Sequence, residues 1–319
     1  MQIPFLILAA WAISYGQPCF AAGPAGESHA TSTRDQLLEH ERLVAVSVVD
    51  SGTLRYRVLA ADSLEAKTWA PADRLFFHMR ADSVAEAEPL LREAVGMASL
   101  AAVPVDIGTL PVRRKKALFF SILESIARFH NETILSRRQR LLSLQNGASD
   151  GLFLQDMAEH YALARSKSAL STRADSLREL LRRVDVIPPS LVLAQGAIES
   201  GWGTSRFARQ GNNLYGQRVW RSDLKGMTAS GAQSSRFRLA MYDNIASSVR
   251  SYMRNLNTHP SYEELRSLRA QARAENGPIR GNVLADGLRS YSTRGEEYVA
   301  DVQRMIRGNA LEELDGEER

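Results

Sequence analysis

The sequence predicts a mainly α protein, a helical domain holding a small β-lobe and preceded by a small α/β N-terminal region. Three observations predict it. From Gly151 onward almost every segment repeats apolar residues at intervals of three and four, as in "LFLQDMAEHYALARSK", "ADSLRELLRRV" and "EYVADVQRMIRG". Between Asn212 and Arg238 that period lapses and Gly, Ser, Asn and Asp accumulate, which marks one irregular or β-like insertion. Near the N-terminus, alternating runs sit beside short helical ones. With 319 residues, 44% apolar and 24% charged, the chain is long enough for one large domain or two modest ones and should fold. Its net charge of +4 suits a protein working near an anionic polymer such as nucleic acid or bacterial cell wall.

Residues 1–21 read as a secretory signal peptide: an apolar run from Ile3 to Ile13, then Cys19 and Ala21 three and one positions before a cleavage point after Ala21. No Lys or Arg precedes the run, so a single membrane-anchoring helix is the alternative. Removal of the signal takes away Cys19, the chain's one cysteine, and with it any disulfide or thiol chemistry. No other segment has the uncharged apolar length that a bilayer crossing needs. A periplasmic or cell-envelope location is therefore expected.

Residues 22–102 form the N-terminal accessory region. Within it Leu43 to Ala60 alternates apolar and polar residues on either side of Asp50-Ser51-Gly52, which predicts a β-hairpin, and "SVAEAEPLLREAVGMA" predicts a helix. Residues 103–149 form a helical connecting segment, since Leu118, Ile122, Ile126 and Phe129 recur at helical spacing in one long amphipathic helix or a pair, ended by Asn146-Gly147. Its Arg113 to Lys116 cluster is a solvated helix end rather than an anion-binding face. Residues 150–312 form the main helical domain, and 313–319 a polar tail. Inside the domain Pro188-Pro189-Ser190 starts a helix carrying Leu191, Ala194 and Ile198, and Gly201 and Gly203 stop it.

Glu199 falls in the last turn of that helix. Unpaired carbonyls there disfavour an ionised carboxylate, and an apolar neighbour such as Trp202 desolvates it further. Both effects push towards a protonated acid able to donate near neutral pH. Spacing alone favours the plainer reading of Glu199 as a surface residue that caps nothing.

The segment "LVLAQGAIESGWGTSRFARQGNNLYGQ" resembles the signature of glycoside hydrolase family 73, the peptidoglycan glucosaminidases, and more closely their Bax-type branch. The likeness extends through "RRKKALFFSIL", "RRVDVIPPSLVLAQ", "SVRSYMRNLNTHPSYEELR" and "LRSYSTRGEEYV", roughly Val103 to Met305. The resemblance implies a lysozyme-like fold in which Glu199, as general acid, faces the small β-lobe across a groove and protonates the leaving glycosidic oxygen. It implies an endo-β-N-acetylglucosaminidase that cleaves peptidoglycan glycan strands at the β-1,4 bond after N-acetylglucosamine. Many members carry a second Glu in the β-lobe, but here no Glu occurs between Glu199 and Glu263. Asp223 is the one acid in the insertion proper, and Asp243 opens the following helix. This departure fits attack by the substrate's own 2-acetamido oxygen, an exception to the two-carboxylate rule. It also leaves room for a lytic transglycosylase or for a non-catalytic wall-binding protein.

The segment "YSTRGEEY" resembles the family's tyrosine-bearing stretch, so Tyr291 and Tyr298 are candidates to orient the acetamido group or a water, with Arg294 standing where the family has an acid. Trp202, Tyr215 and Phe237 could stack on sugar rings or pack in the core. Asn212 and Asn213 could bond sugar hydroxyls or hold their loop, and the loop role is expected for one of them. No metal or cofactor is called for, because the six histidines are scattered and no phosphate-binding Gly loop occurs. Few aromatics interleave with the basic residues, so nucleic-acid binding is not supported.

Overall fold

The computed structural model describes residues 43–47, 76–81, 83–87, 98–145, 150–165, 172–220, 224–228 and 238–315. The signal segment, the second arm of the expected hairpin, Asp223 and Phe237 lie outside them. Strands β1 (Leu43–Ser47), β2 (Phe76–Arg80) and β3 (Ala98–Leu100) form a three-stranded sheet in sequence order. β1 runs where the sequence predicts a strand, but it pairs in parallel with β2, Leu43 opposite Phe76, and β2 pairs in parallel with β3. A parallel neighbour needs a long crossover, so the alternation at β1 identified a strand without identifying its partner.

β3 docks on α1 (Val112–Gln145), a single helix of 34 residues, through the Ser99 hydroxyl, which donates to the Ile122 carbonyl at 2.9 Å. Leu118, Phe119, Ile122, Leu123, Ile126 and Ala127 bury a broad stripe of α1 in the same apolar core that holds the rest of the helices. The segment read as a connection is thus a wall of the main domain. The boundary at residue 102 likewise falls inside packed structure, since Leu100 and Val103 are both buried and the Ile245 amide donates to the Ala101 carbonyl at 2.9 Å.

Helix α2 (Gly151–His160) begins at Asp150, whose carboxylate accepts from the Phe153 amide, and α3 (Arg173–Arg183) begins with a reciprocal capping box between Thr172 and Asp175. After α3 the chain turns through 184–188, where a polar cluster replaces regular backbone pairing. Arg269, fully buried, donates to the carbonyls of Arg182, Asp185 and Val186, and burial lowers its guanidinium to about 10. The buried Asp185 carboxylate pairs with Arg273 at 2.8 Å and Arg138 at 3.4 Å; burial alone would raise it, but the cations around it hold it below the usual range. The Asn131 side chain donates to and accepts from Ile187 at 2.8 and 3.0 Å. Buried polar backbone here is satisfied by side chains from α1 and α7 (Glu263–Ala274).

That turn feeds α4 (Pro189–Ser200), buried on every side from Pro189 to Ala197, as a helix apolar all round must be. Gly196 lets it approach α1: a Cβ there would lie 2.7 Å from Leu123 Cδ1. Its N-terminus is capped from the far end of the chain, because Asp315 accepts from the Ser190 amide and hydroxyl and from the Gly281 amide. Asp315 is buried in the 3₁₀ turn Leu311–Asp315, so the first residues assigned to a polar tail belong to the core.

Past α4 comes α5 (Arg206–Gly211), then the small antiparallel sheet of β4 (Arg218–Val219), β5 (Gly226–Met227) and β6 (Arg238–Ala240) in the order β4-β6-β5. Helices α6 (Ile245–Thr258), α7, α8 (Gly281–Leu284) and α9 (Glu296–Gly308) complete the domain. No helix among the described residues is long and apolar enough to cross a membrane.

Candidate active site around Glu199

The end of α4 is built to project one side chain. Gly201 takes the left-handed conformation that closes the helix, with φ 57° and ψ 47°, and the Ser200 hydroxyl accepts from the Gly203 amide at 2.8 Å. Glu199 thereby stands at the last turn, half-buried, beside the loop that leads to β4. Gly216 in that loop has φ +65°, and a Cβ on it would start 3.6 Å from Glu199 Oε2. The positive φ at 216 favours glycine and brings the loop backbone directly beside that oxygen.

The other oxygen is committed. The Tyr298 hydroxyl donates to Glu199 Oε1 at 2.7 Å, Gln195 Nε2 donates to the Tyr298 oxygen at 2.8 Å, and the Tyr252 hydroxyl donates to Gln195 Oε1 at 2.5 Å. Gln195 precedes Glu199 by one helical turn, so both leave α4 on one face. Burial raises the Glu199 carboxyl above its ordinary value, and the Tyr298 hydrogen bond opposes part of that rise. Burial also raises the hydroxyls of Tyr298 and Tyr252, which keeps both protonated donors. Among the described residues no second carboxylate contributes to the Glu199 shift. A half-buried acid with one oxygen held by a hydroxyl and the other without a hydrogen bond among the described residues can donate a proton and, once ionised, accept one back.

The remaining candidates separate. Tyr291 stacks on Tyr298 with ring centroids 5.4 Å apart, and its hydroxyl donates to the Tyr215 carbonyl at 2.9 Å. Tyr298 is therefore the tyrosine that touches Glu199, and Tyr291 braces it. Tyr215 is no sugar platform: it is 2% exposed, stacked on Tyr252 at 3.9 Å, because its ring points into the core while its backbone forms the loop. Trp202 is half-buried with its ring against Phe119 and Phe120 and Lys116 Nζ over it at 5.0 Å, so α1 engages it. Both asparagines hold the loop. Asn213 donates to the Gln217 and Ala240 carbonyls and accepts from the Gln217 amide, while Asn212 donates to the Tyr242 carbonyl. Asp243 is exposed and pairs with Lys225 at 3.5 Å.

Three residues escaped the sequence reading. Gln195 is a polar residue inside an apolar helix, one turn from the acid, and that spacing was a usable signal. Tyr252 sat in the apolar stripe of α6 and carried none. Trp220, 67% exposed just past β4, is a large aromatic on the lobe.

Comparison with known proteins adds a family. The sequence profile described as "Mannosyl-glycoprotein endo-beta-N-acetylglucosaminidase" matches residues 174–311, which include α3 but for its first residue, α4, the lobe and α9. Protein bax of Escherichia coli (strain K12) is 34% identical over 204 residues, spanning 60% of this chain and 71% of that protein. The solved catalytic domain of the autolysin Auto from Listeria monocytogenes aligns with 56% of this chain and 96% of its own at 20% identity and a TM-score of 0.31, too loose a likeness to place any residue.

Proposed function

Since the chain belongs to the endo-β-N-acetylglucosaminidase family, in its Bax-type branch, we propose that it is a peptidoglycan hydrolase cleaving the β-1,4 bond after N-acetylglucosamine, with Glu199 as its general acid. The observation that carries this reading is the Glu199 carboxyl itself, raised by burial, held at Oε1 by Tyr298 and with Oε2 beside Gly216 and without a hydrogen bond among the described residues. Protonated Glu199 gives its proton to the glycosidic oxygen as the bond to the anomeric carbon breaks. The substrate's acetamido oxygen closes on that carbon, and the Glu199 carboxylate then takes a proton from the water that reopens the ring. The mechanism asks for one carboxylate, in keeping with the lone acid acting at the site among the described residues. Export to the envelope rests on the apolar segment 1–21.

Mass spectrometry of fragments released from purified sacculi tests the reading. Reducing ends of N-acetylglucosamine are expected; reducing N-acetylmuramic acid would refute the bond assignment. A lytic transglycosylase also needs a single acid, and 1,6-anhydromuramic ends would establish it instead. Binding to sacculi with no soluble fragment released would establish a wall-binding protein.

A further inference from the structure

Three donors in a row point at Glu199. A carboxamide oxygen only accepts and its nitrogen only donates, while a tyrosine hydroxyl can do either; turning the Gln195 amide over would leave the buried Tyr252 proton without an acceptor among the described residues, and that sets the direction of the chain. The Tyr252 hydroxyl donates to Gln195 Oε1 at 2.5 Å, which turns Nε2 towards the Tyr298 oxygen, 2.8 Å away. The Tyr298 oxygen then accepts, and its single proton is left for Glu199 Oε1 at 2.7 Å. Gln195 and Tyr252 are fully buried, so no water reverses the order. Two ring stacks, Tyr215 on Tyr252 at 3.9 Å and Tyr291 on Tyr298 at 5.4 Å, fix the rings, and the bond from the Tyr291 hydroxyl to the Tyr215 carbonyl ties one stack to the other.

We propose that Tyr252 and Gln195 are positioning residues that fix the direction of the Tyr298 proton, so that Oε1 of Glu199 always accepts and the transferable proton rides on Oε2, the oxygen beside Gly216. This rests on the reading of Glu199 as general acid. Without Tyr252 the Gln195 amide is free to turn over. Its oxygen then draws the Tyr298 proton away from Glu199 whenever Glu199 is neutral, and the neutral carboxyl loses its assigned oxygen. The titratable groups that face Glu199 among the described residues are tyrosines: Tyr298 from α9, Tyr291 from the turn before it, Tyr252 from α6 and Tyr262 from the 3₁₀ turn after α6. Burial raises all four above 10, Tyr262 to about 12, so none changes charge while Glu199 titrates.

The test is a carboxyl-carbon NMR titration of the full chain with labelled glutamate, the Glu199 signal assigned by its loss in Glu199→Gln. No substrate is present, so a failure of the proposed hydrolysis leaves this result readable. Tyr252→Phe should move the Glu199 midpoint upward by roughly one pH unit. Gln195→Leu, which offers Tyr298 no competing acceptor, should leave it in place, and the double variant Tyr252→Phe with Gln195→Leu should bring it back towards wild type. A Tyr252→Phe midpoint equal to wild type, or a double variant that stays shifted, overturns the proposal. A neutron structure of the wild-type protein gives an answer that depends on no variant folding: the Tyr298 hydroxyl proton should lie towards Glu199 and the Tyr252 proton towards Gln195, and either one reversed overturns it.

Discussion

Asp315 and Ser190, 125 residues apart, meet at the start of the helix that carries Glu199: both the amide and the hydroxyl of Ser190 donate to the Asp315 carboxylate, at 3.0 and 2.7 Å. The buried end of the 3₁₀ turn Leu311–Asp315 thus caps the N-terminus of α4, buried from Pro189 to Ala197. Replacing Asp315 with Ala strands two amides and a hydroxyl and should cost about 1–3 kcal/mol in chemical denaturation. Unchanged stability would mean that Pro189 and the packing of α4 suffice without a cap.

Glu199→Gln keeps the shape of the side chain and removes the acid, so turnover on sacculi should fall roughly a hundredfold to ten-thousandfold. Its stability should change with pH in one direction. The folded carboxyl is raised above 4.5, so its contribution to stability is fully present below that value and is lost as pH rises through the folded pKa. The Gln variant has no such loss, and its melting temperature should gain on wild type from pH 4 to pH 7. A gap that stays constant or narrows would contradict the burial of Glu199.

Arg269 is the hub of the turn before α4. Changing it to Met leaves the carbonyls of Arg182 and Val186 and the side-chain oxygen of Asn257 without their Arg269 donor, leaves the Asp185 carbonyl with Asn257 Nδ2 alone, and takes one cation from Asp185. The expected loss is about 3 kcal/mol or more, read as a shifted denaturation midpoint. An effect below 1 kcal/mol would mean that Arg138 and Arg273 hold the turn by themselves.

Trp220 follows Gly216 by four residues, at most about 13 Å of extended chain, so a glycan threaded past Glu199 is within its reach. Trp220→Ala should raise KM several-fold, in keeping with about 0.5–1.5 kcal/mol for an aromatic contact, with kcat and melting temperature little changed. A normal KM would remove Trp220 from the binding surface.

The position of Glu199 was legible because two local signals bracket it, the proline start at Pro188-Pro189 and the glycine stop at Gly201 and Gly203. The helical period likewise carried α1, α4, α6, α7 and α9, whose apolar stripes are broad. What stayed hidden was direction and distance. Tyr215 reads equally as a sugar platform or a core residue because residue type does not say which way a ring points; its backbone lines the loop while its ring fills the core. The Asp315 cap and the parallel partner of β1 are contacts between residues far apart in the chain, and neither leaves a periodic trace. Gln195 stood out only as a polar residue among apolar ones, and its purpose appears once Tyr252 and Tyr298 are placed on either side of it.

Helix α4 is covered on every side, capped by Asp315 and clamped at its start, so it has no inexpensive way of opening locally. Its amides should exchange with solvent only through global unfolding, while those of the lobe strands open by smaller fluctuations. Glu199 then stays registered against Tyr298 until the whole domain melts, whereas strands β4, β5 and β6, two or three residues long, have few backbone bonds to lose. Heating should therefore loosen the grip on substrate, seen as a rising KM, well before it disturbs the acid, and kcat should collapse only at the main calorimetric transition.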